Sequence, residues 1–227
     1  MKKLIKDKSA SWNNNNNSEY YEAIPLEELP TYAKLGGLDT GCDIEIIASY
    51  IQKASSILEI GAGYGRVIKK LKEINYKNKL VVLERSKQFI SVLQENYCKD
   101  ISIVKEGIQD FSSKEKFDLI LWLWSGFCDF SKKEQPFILE KTVSLLSNKG
   151  VLVLDTMPPN LTPKNATILQ DQSYIIPSSN NSECSLYGYV PSNEELDEYV
   201  KILNLKIKHI PYFTTTNRER VLHIIHG

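Results

Sequence analysis

The sequence predicts an α/β protein built on a doubly wound, seven-stranded, mostly parallel sheet closed by a C-terminal antiparallel hairpin. Three observations predict it. Short apolar runs alternate with amphipathic helical segments between residues 43 and 156. A glycine-rich turn joins the first apolar run to the helix that follows. The last two segments of the chain alternate apolar and polar positions with a period of two, as half-buried strands do. With 227 residues, the chain fits one ample domain with peripheral segments better than two full domains.

The elements follow in order. Residues 1–18 hold the run Asn13 to Asn17 and little apolar surface, so they read as a flexible tail. Residues 19–54 read as an N-terminal helical lid, with short pieces broken by Pro25 and Pro30 and then one amphipathic helix over 43–54 capped by Asp43. The core, residues 55–156, has strands at 56–60, 79–84, 101–105, 117–123 and 150–155. Its helices lie at 65–74, 87–97 and 135–147. Near-continuous apolar strands between amphipathic helices imply a parallel sheet covered on both faces. Residues 157–190 carry prolines, Ser, Asn and short β-like pieces, and read as a cap over the strand ends. In 191–227, Ser192 and Glu195 form a capping box for a helix at 193–203, and strands at 205–212 and 220–225 make the hairpin.

Composition narrows the function classes. Lys plus Arg and Asp plus Glu number 28 each, so there is no overall basic charge of the kind that marks a nucleic-acid binder. Cys42, Cys98, Cys128 and Cys184 lie far apart without a C-x-x-C pair, and read as reduced thiols rather than disulfides or a zinc site. No run approaches the roughly 18 apolar residues of a membrane span, and no signal peptide is evident, so the expected location is cytoplasmic. No metal site is expected: His223 and His226 point to opposite faces of a strand, and His209 reads as structural.

The turn after the first strand has glycines at Gly61, Gly63 and Gly65, which let the backbone bend tightly and bring its N–H groups against a ligand. Arg66 stands where the dinucleotide fingerprint G-x-G-x-x-G needs its third glycine, which argues against a nicotinamide-dependent oxidoreductase. Glu59, two residues before the loop, is unfavourable beside a pyrophosphate and useful beside an ammonium group. Glu84 ends the next strand, at the distance suited to a ribose. A ligand with an amino acid, a ribose and no phosphate matches this set, and S-adenosylmethionine (SAM) is such a ligand.

Residues 58–66 (LEIGAGYGR) resemble the first signature of the class I SAM-dependent methyltransferases, and residues 81–84 (VVLE) resemble the second. Residues 117–124 (FDLILWLW) are similar to the fourth strand of that family, and 145–154 (LLSNKGVLVL) to the turn and strand leading into its fifth. The resemblance implies the class I methyltransferase fold, SAM as cofactor, and roles by position. Gly61, Ala62 and Gly63 would border the methionine moiety, whose amine Glu59 would fix through the loop. Glu84 would hold the ribose hydroxyls, with Arg85 beside the adenine. Gly107 stands where the family often has an Asp for the adenine amino group, leaving the Ile108 backbone N–H and the Gln109 side chain for that ring. Tyr20 and Tyr21 would reach the methionine carboxylate from the lid.

Methyl transfer from a sulfonium is an in-line displacement, so the enzyme chiefly aligns donor and acceptor, and no catalytic residue is assigned. The acceptor is expected beyond the fourth strand. Trp122 and Trp124 share one face if that strand runs on. Trp122 is placed at the cofactor site, with core packing as the alternative, and Trp124 and Ser125 at the substrate. Tyr187, Tyr189 and Arg218 would line the acceptor pocket from the cap and hairpin. The run Asn/Asp-Pro-Pro-aromatic of nucleobase-amine enzymes is absent, and Cys128 lacks the neighbouring proline of cytosine C5 enzymes. The expected function is therefore methylation of an N or O atom of a small molecule. Methylation of RNA or protein, and non-catalytic SAM binding, stay open as alternatives, and the oligomeric state is unassigned.

Overall fold

The computed structural model describes residues 14–159, 161, 163, 165–181 and 183–227. Among the described residues, four α-helices precede the sheet: α1 (Asn14–Glu22), α2 (Leu29–Gly36), α3 (Cys42–Ile46) and α4 (Ala48–Lys53). The core then alternates β1 (Ser56–Ile60), α5 (Arg66–Glu73), β2 (Lys79–Leu83), α6 (Lys87–Tyr97), β3 (Ser102–Val104), β4 (Phe117–Trp122), α7 (Gln135–Val143) and β5 (Leu146–Thr156). The cap supplies β6 (Thr167–Ile168), β7 (Tyr174–Pro177) and β8 (Ser185–Gly188), and the chain closes with α8 (Asn193–Ile202), β9 (Lys206–Phe213) and β10 (Glu219–His226). The described residues form a seven-stranded sheet in the order β3-β2-β1-β4-β5-β10-β9 and an antiparallel three-stranded sheet β6-β7-β8.

The first five strands are parallel, with Glu59 beside Val82 and Leu121. Strand β10 runs antiparallel to β5 and β9. Successive side chains face opposite sides of a strand, so one face gathers Ile57, Val82, Leu119, Leu121, Val153 and Leu222 against α4 and α5. The other gathers Leu58, Ile60, Leu83, Ile120, Leu152 and Ile225 against α7 and α8. Strand order reverses between β1 and β4, and the strand ends there open the crevice in which such sheets bind ligands. Among the described residues no helix is long and apolar enough to cross a membrane.

The sequence expectations need five corrections at this level. The tail was expected to run to residue 18, but α1 begins at Asn14. Residues 1–13 of that expected tail lie outside the described residues. Asn17 is fully buried because its carboxamide bonds to backbone groups of Tyr187 and Asp129. The single helix expected over 43–54 is two short helices that break at Ile47, and Asp43 caps neither: Gly41 stands at the first N-terminus while Asp43 pairs with Arg66. Helix α7 stops at Val143, and β5 starts earlier than position 150, because Leu146 pairs with Phe117 ahead of a register shift. Gly150 lies in that irregular stretch, where a Cβ would come within 2.7 Å of the Phe117 carbonyl oxygen. The capping box of α8 forms as expected, Ser192 Oγ accepting from the Glu195 N–H at 3.2 Å.

His223 on β10 is buried between Thr156 Oγ1 at 2.8 Å and His209 Nδ1 at 2.7 Å, and Asp197 meets the other side of His209 at 3.1 Å. Burial, aided by His209, pushes its pKa down to about 3. The unfolded chain takes up that proton near pH 6.5, so the contribution of His223 to stability is complete above that value and lost progressively as pH falls toward 3. We expect urea midpoints to fall from pH 6.5 to 4, and to fall less steeply in His223→Gln. Parallel curves for the two proteins would refute this.

Candidate active site

The loop from β1 to α5 makes a tight turn in which Gly61 and Gly63 adopt φ values of +72° and +55°, and a Cβ on either would point into open space. Its amides do not face that space. The N–H groups of Gly61 and Ala62 donate to the Leu83 carbonyl at 2.9 and 3.1 Å, and that of Gly63 donates to Glu84 Oε2 at 2.7 Å. This corrects the expectation of amides aimed at a ligand: the turn is held by β2, because α5 begins only at Arg66. A loop whose N–H groups are used internally is no phosphate cradle, in keeping with a ligand that has no phosphate.

Two carboxylates define the electrostatics. Glu84 also accepts from the N–H groups of Arg85 and Ser86, each at 2.8 Å, which fixes its side chain at the end of β2. Burial raises its pKa against those bonds. Glu59 is 4% exposed, and its Oε2 is buried without a hydrogen-bond partner among the described residues. Burial, reinforced by Glu84 and Asp43 and opposed by Arg66, pushes Glu59 up to about 8. An unpartnered buried carboxyl oxygen is costly, and it is the group that a ligand ammonium would satisfy.

The nearby arginines are already engaged. Arg66 makes a two-pronged ion pair with Asp43 at 2.9 and 2.6 Å, donates to the Leu38 carbonyl at 3.0 Å, and lies 5.8 Å from the Trp124 ring centroid. Arg220 binds Asp155 through Nε at 3.0 and 3.1 Å and through Nη2 at 2.7 Å, and reaches Ser125 Oγ at 2.7 Å. Asp155 also accepts from the Trp124 N–H at 2.8 Å and the Tyr212 hydroxyl at 3.0 Å. These bonds turn Trp124 and Ser125 into the left-handed region, at φ +56° and +63°. The expected common face of Trp122 and Trp124 is thereby corrected. Strand β4 stops at Trp122, whose ring packs on Phe127 and Phe130, while Trp124 packs toward the opposite sheet face.

One cavity of about 380 Å³ lies over these strand ends. Glu59, Gly61, Ala62, Gly63, Glu84 and Arg85 line it from the first two loops, and Gly107, Ile108 and Gln109 from the turn after β3. Trp122, Trp124 and Ser125 form its floor, and Tyr20 and Tyr21 enter from α1. Three residues expected at the acceptor lie elsewhere. Tyr187 uses its backbone N–H and carbonyl to bind Asn17, Tyr189 is buried with its hydroxyl on Glu195 at 2.7 Å, and Arg218 is exposed in the β9–β10 turn. Strand alternation in the cap decides this: Tyr174, Ile176 and Leu186 face the cavity in their place, and Arg220 rather than Arg218 reaches its wall. Sequence reasoning also missed Asp129, at the end of the one-turn helix Gly126–Asp129, whose carboxyl accepts from the Tyr21 hydroxyl at 3.3 Å. An isolated acid in a short apolar segment has no spacing to mark it.

Comparison with known proteins agrees with this geometry. Residues 57–150 match the sequence model of a methyltransferase-domain family. No curated protein sequence matches the chain. Among solved structures, the chain is similar to DhpI in complex with S-adenosylhomocysteine (SAH), at 14% identity and a TM-score of 0.69, over 94% of this chain and 96% of that one. It is also similar to the Burkholderia thailandensis 1,6-didemethyltoxoflavin-N1-methyltransferase bound to 1,6-didemethyltoxoflavin and SAH, at 10% identity and a TM-score of 0.67, over 98% and 93% of the two chains. The CcbJ methyltransferase of Streptomyces caelestis follows at 15% identity and a TM-score of 0.65, over 84% and 96%. At these identities the structural likeness is one of fold. Strand order and glycine loop give the chain the fold of these methyltransferases, and residues 57–150 carry the methyltransferase-domain match.

Removing one partner of a buried ion pair typically costs about 3–5 kcal/mol, because the other charge is left unpaired. Arg220→Met strands the carboxylate of Asp155, which is fully buried, and is expected to lower unfolding stability by about that amount. Chemical denaturation checks it. A loss below about 1 kcal/mol would mean that the Trp124 and Tyr212 bonds suffice for Asp155.

Proposed function

We propose that this protein is a methyltransferase that transfers the methyl group of SAM to a nitrogen or oxygen atom of a small-molecule acceptor. The unpartnered buried oxygen of Glu59, at the mouth of a turn that cannot cradle phosphate, carries the donor side of the proposal. When bound, SAM supplies a methyl group on a sulfonium, and the sulfur keeps the C–S electron pair as the methyl leaves. The chain's own residues hold, orient and exclude water. Glu59 takes the donor's ammonium and Glu84 its ribose hydroxyls, while Arg85, Ile108 and Gln109 surround the adenine and Tyr20 serves the methionine carboxylate. Tyr21, expected at the same carboxylate, is turned to Asp129.

The enclosure supports a small acceptor. Asn17 straps α1 to β8 and to the carbonyl of Asp129, so lid, cap and floor form one connected roof over the cavity. Tyr174 can lie under that roof because Gly188 opposite it has no Cβ; one there would sit 2.1 Å from the ring. The Burkholderia thailandensis enzyme, similar in fold, has 1,6-didemethyltoxoflavin bound.

Two measurements test the donor site. Gly63→Arg fills the open space at the loop and should abolish SAM binding by calorimetry while circular dichroism stays unchanged. Wild-type affinity in that variant would displace the donor from the loop. Glu59, near 8 in the free protein, is mostly protonated at pH 7 and must ionise to face an ammonium. SAM binding at pH 7 should therefore release close to one proton, about 0.9 by this shift, detected by calorimetry in buffers of different ionisation enthalpy. Glu59→Gln should bind about tenfold or more weakly and release none. Equal proton release by the two proteins would remove Glu59 from this role.

A further inference from the structure

Glu59, Glu84, Glu106 and Asp129 all line the cavity, and the donor uses the first two. With Glu59 and Glu84 assigned to SAM, and Arg66 and Arg220 paired with Asp43 and Asp155, Asp129 faces the cavity from the floor beyond β4, within the field of Arg85. Its surroundings are those of a cation site. The Tyr21 hydroxyl donates to its Oδ1 at 3.3 Å, Tyr20 stands edge-on to Tyr21 at 5.7 Å, and Tyr174 reaches in from the cap. Aromatic faces around a carboxylate attract an organic ammonium by the ring quadrupole as well as by charge. The placement is rigid. Asn17 Nδ2 donates to the Asp129 carbonyl at 3.1 Å and to the Tyr187 carbonyl at 2.9 Å, so the same side chain sets the height of floor and roof.

Resting on the methyl-transfer reading above, we propose that Asp129, with Tyr21 and Tyr174, forms the acceptor subsite and selects an amine, bound as its ammonium. The carboxylate then takes one proton. An N–H bond of the ammonium breaks, the proton moves to Asp129 Oδ, and the bonding pair stays on nitrogen as the lone pair that receives the methyl. Burial pushes the Asp129 carboxyl up to about 7. Arg85 and the Tyr21 hydrogen bond hold it down, and Glu84 holds it up. Tyr20, Tyr174 and Cys128 also face it. A base near neutrality suits an amino group titrating near about 8, and is far too weak for an aliphatic hydroxyl.

The test titrates the protein–SAH complex with benzylamine and, separately, with its neutral counterpart benzyl alcohol, by calorimetry at pH 8. Benzylamine should bind about tenfold more tightly. Asp129→Asn should bring the two within about twofold, with SAH affinity unchanged. Benzylamine affinity should weaken as pH falls through about 7, where Asp129 takes up a proton. In Tyr21→Phe that fall should move to higher pH, because the lost hydrogen bond was lowering the carboxyl. Equal binding of the two probes, a preference that survives Asp129→Asn, or a loss of SAH affinity in that variant would each overturn the proposal, the last by putting Asp129 on the donor. A wild-type protein that binds neither SAM nor SAH would instead overturn the methyltransferase reading.

Discussion

Asp155 is the group on which the geometry of the site turns. At the end of β5, fully buried, it takes the Trp124 N–H, the Tyr212 hydroxyl and the Arg220 guanidinium at once. A carboxylate without water is tolerable only when its lone pairs are filled and its charge is matched. Satisfying it draws the chain after β4 into two consecutive left-handed residues and pulls the hairpin strands β9 and β10 onto the same strand end. The floor of the cavity, the swing of Trp124 away from Trp122 and the position of Gly126–Asp129 follow from that one cluster.

A second ion pair does the equivalent work on the other side of the loop. Arg66 and Asp43 lock the first residue of α5 to the lid, so the Gly61–Gly63 turn is clamped between β2 behind and the N-terminal helices in front. Arg66 and Arg220 are paired, and Glu59, Glu84 and Asp129 are the carboxyls of the cavity that burial holds against ionisation. Their raised pKa values show that negative charge there is expensive in the empty protein. A cationic ligand lowers the cost by bringing the missing charge. The proposed sulfonium donor is such a ligand, and the proposed ammonium acceptor is a second.

Enclosure comes from segments that carry no cofactor signature. Asn17, in an asparagine run that composition alone assigns to a solvated tail, is a buried bracket between α1, the floor and β8. Its two-sided amide matches a backbone N–H and carbonyl on β8 as a neighbouring strand would. Run composition describes an average environment, and it fails for the one member that finds such a partner.

Local chemistry written in adjacent residues was legible without coordinates. The alternation of apolar runs, the G-x-G-x-G turn, Glu59 before it, Glu84 after β2 and the Ser192–Glu195 capping box each depend on neighbours within a turn or a strand length. They determined the α/β class and the loop residues Glu59, Gly61, Gly63 and Glu84 that line one cavity. What only the tertiary structure decided depends on partners far apart in sequence. Asp43 left its capping position for Arg66, the two tryptophans parted because Asp155 holds one of them, and the cap turned Tyr174 rather than Tyr187 inward. Asp129 became a cavity carboxyl only when α1 and β7 closed over it. Each of these outcomes is set by which buried charge or amide finds which distant partner, and a linear pattern carries no record of that pairing.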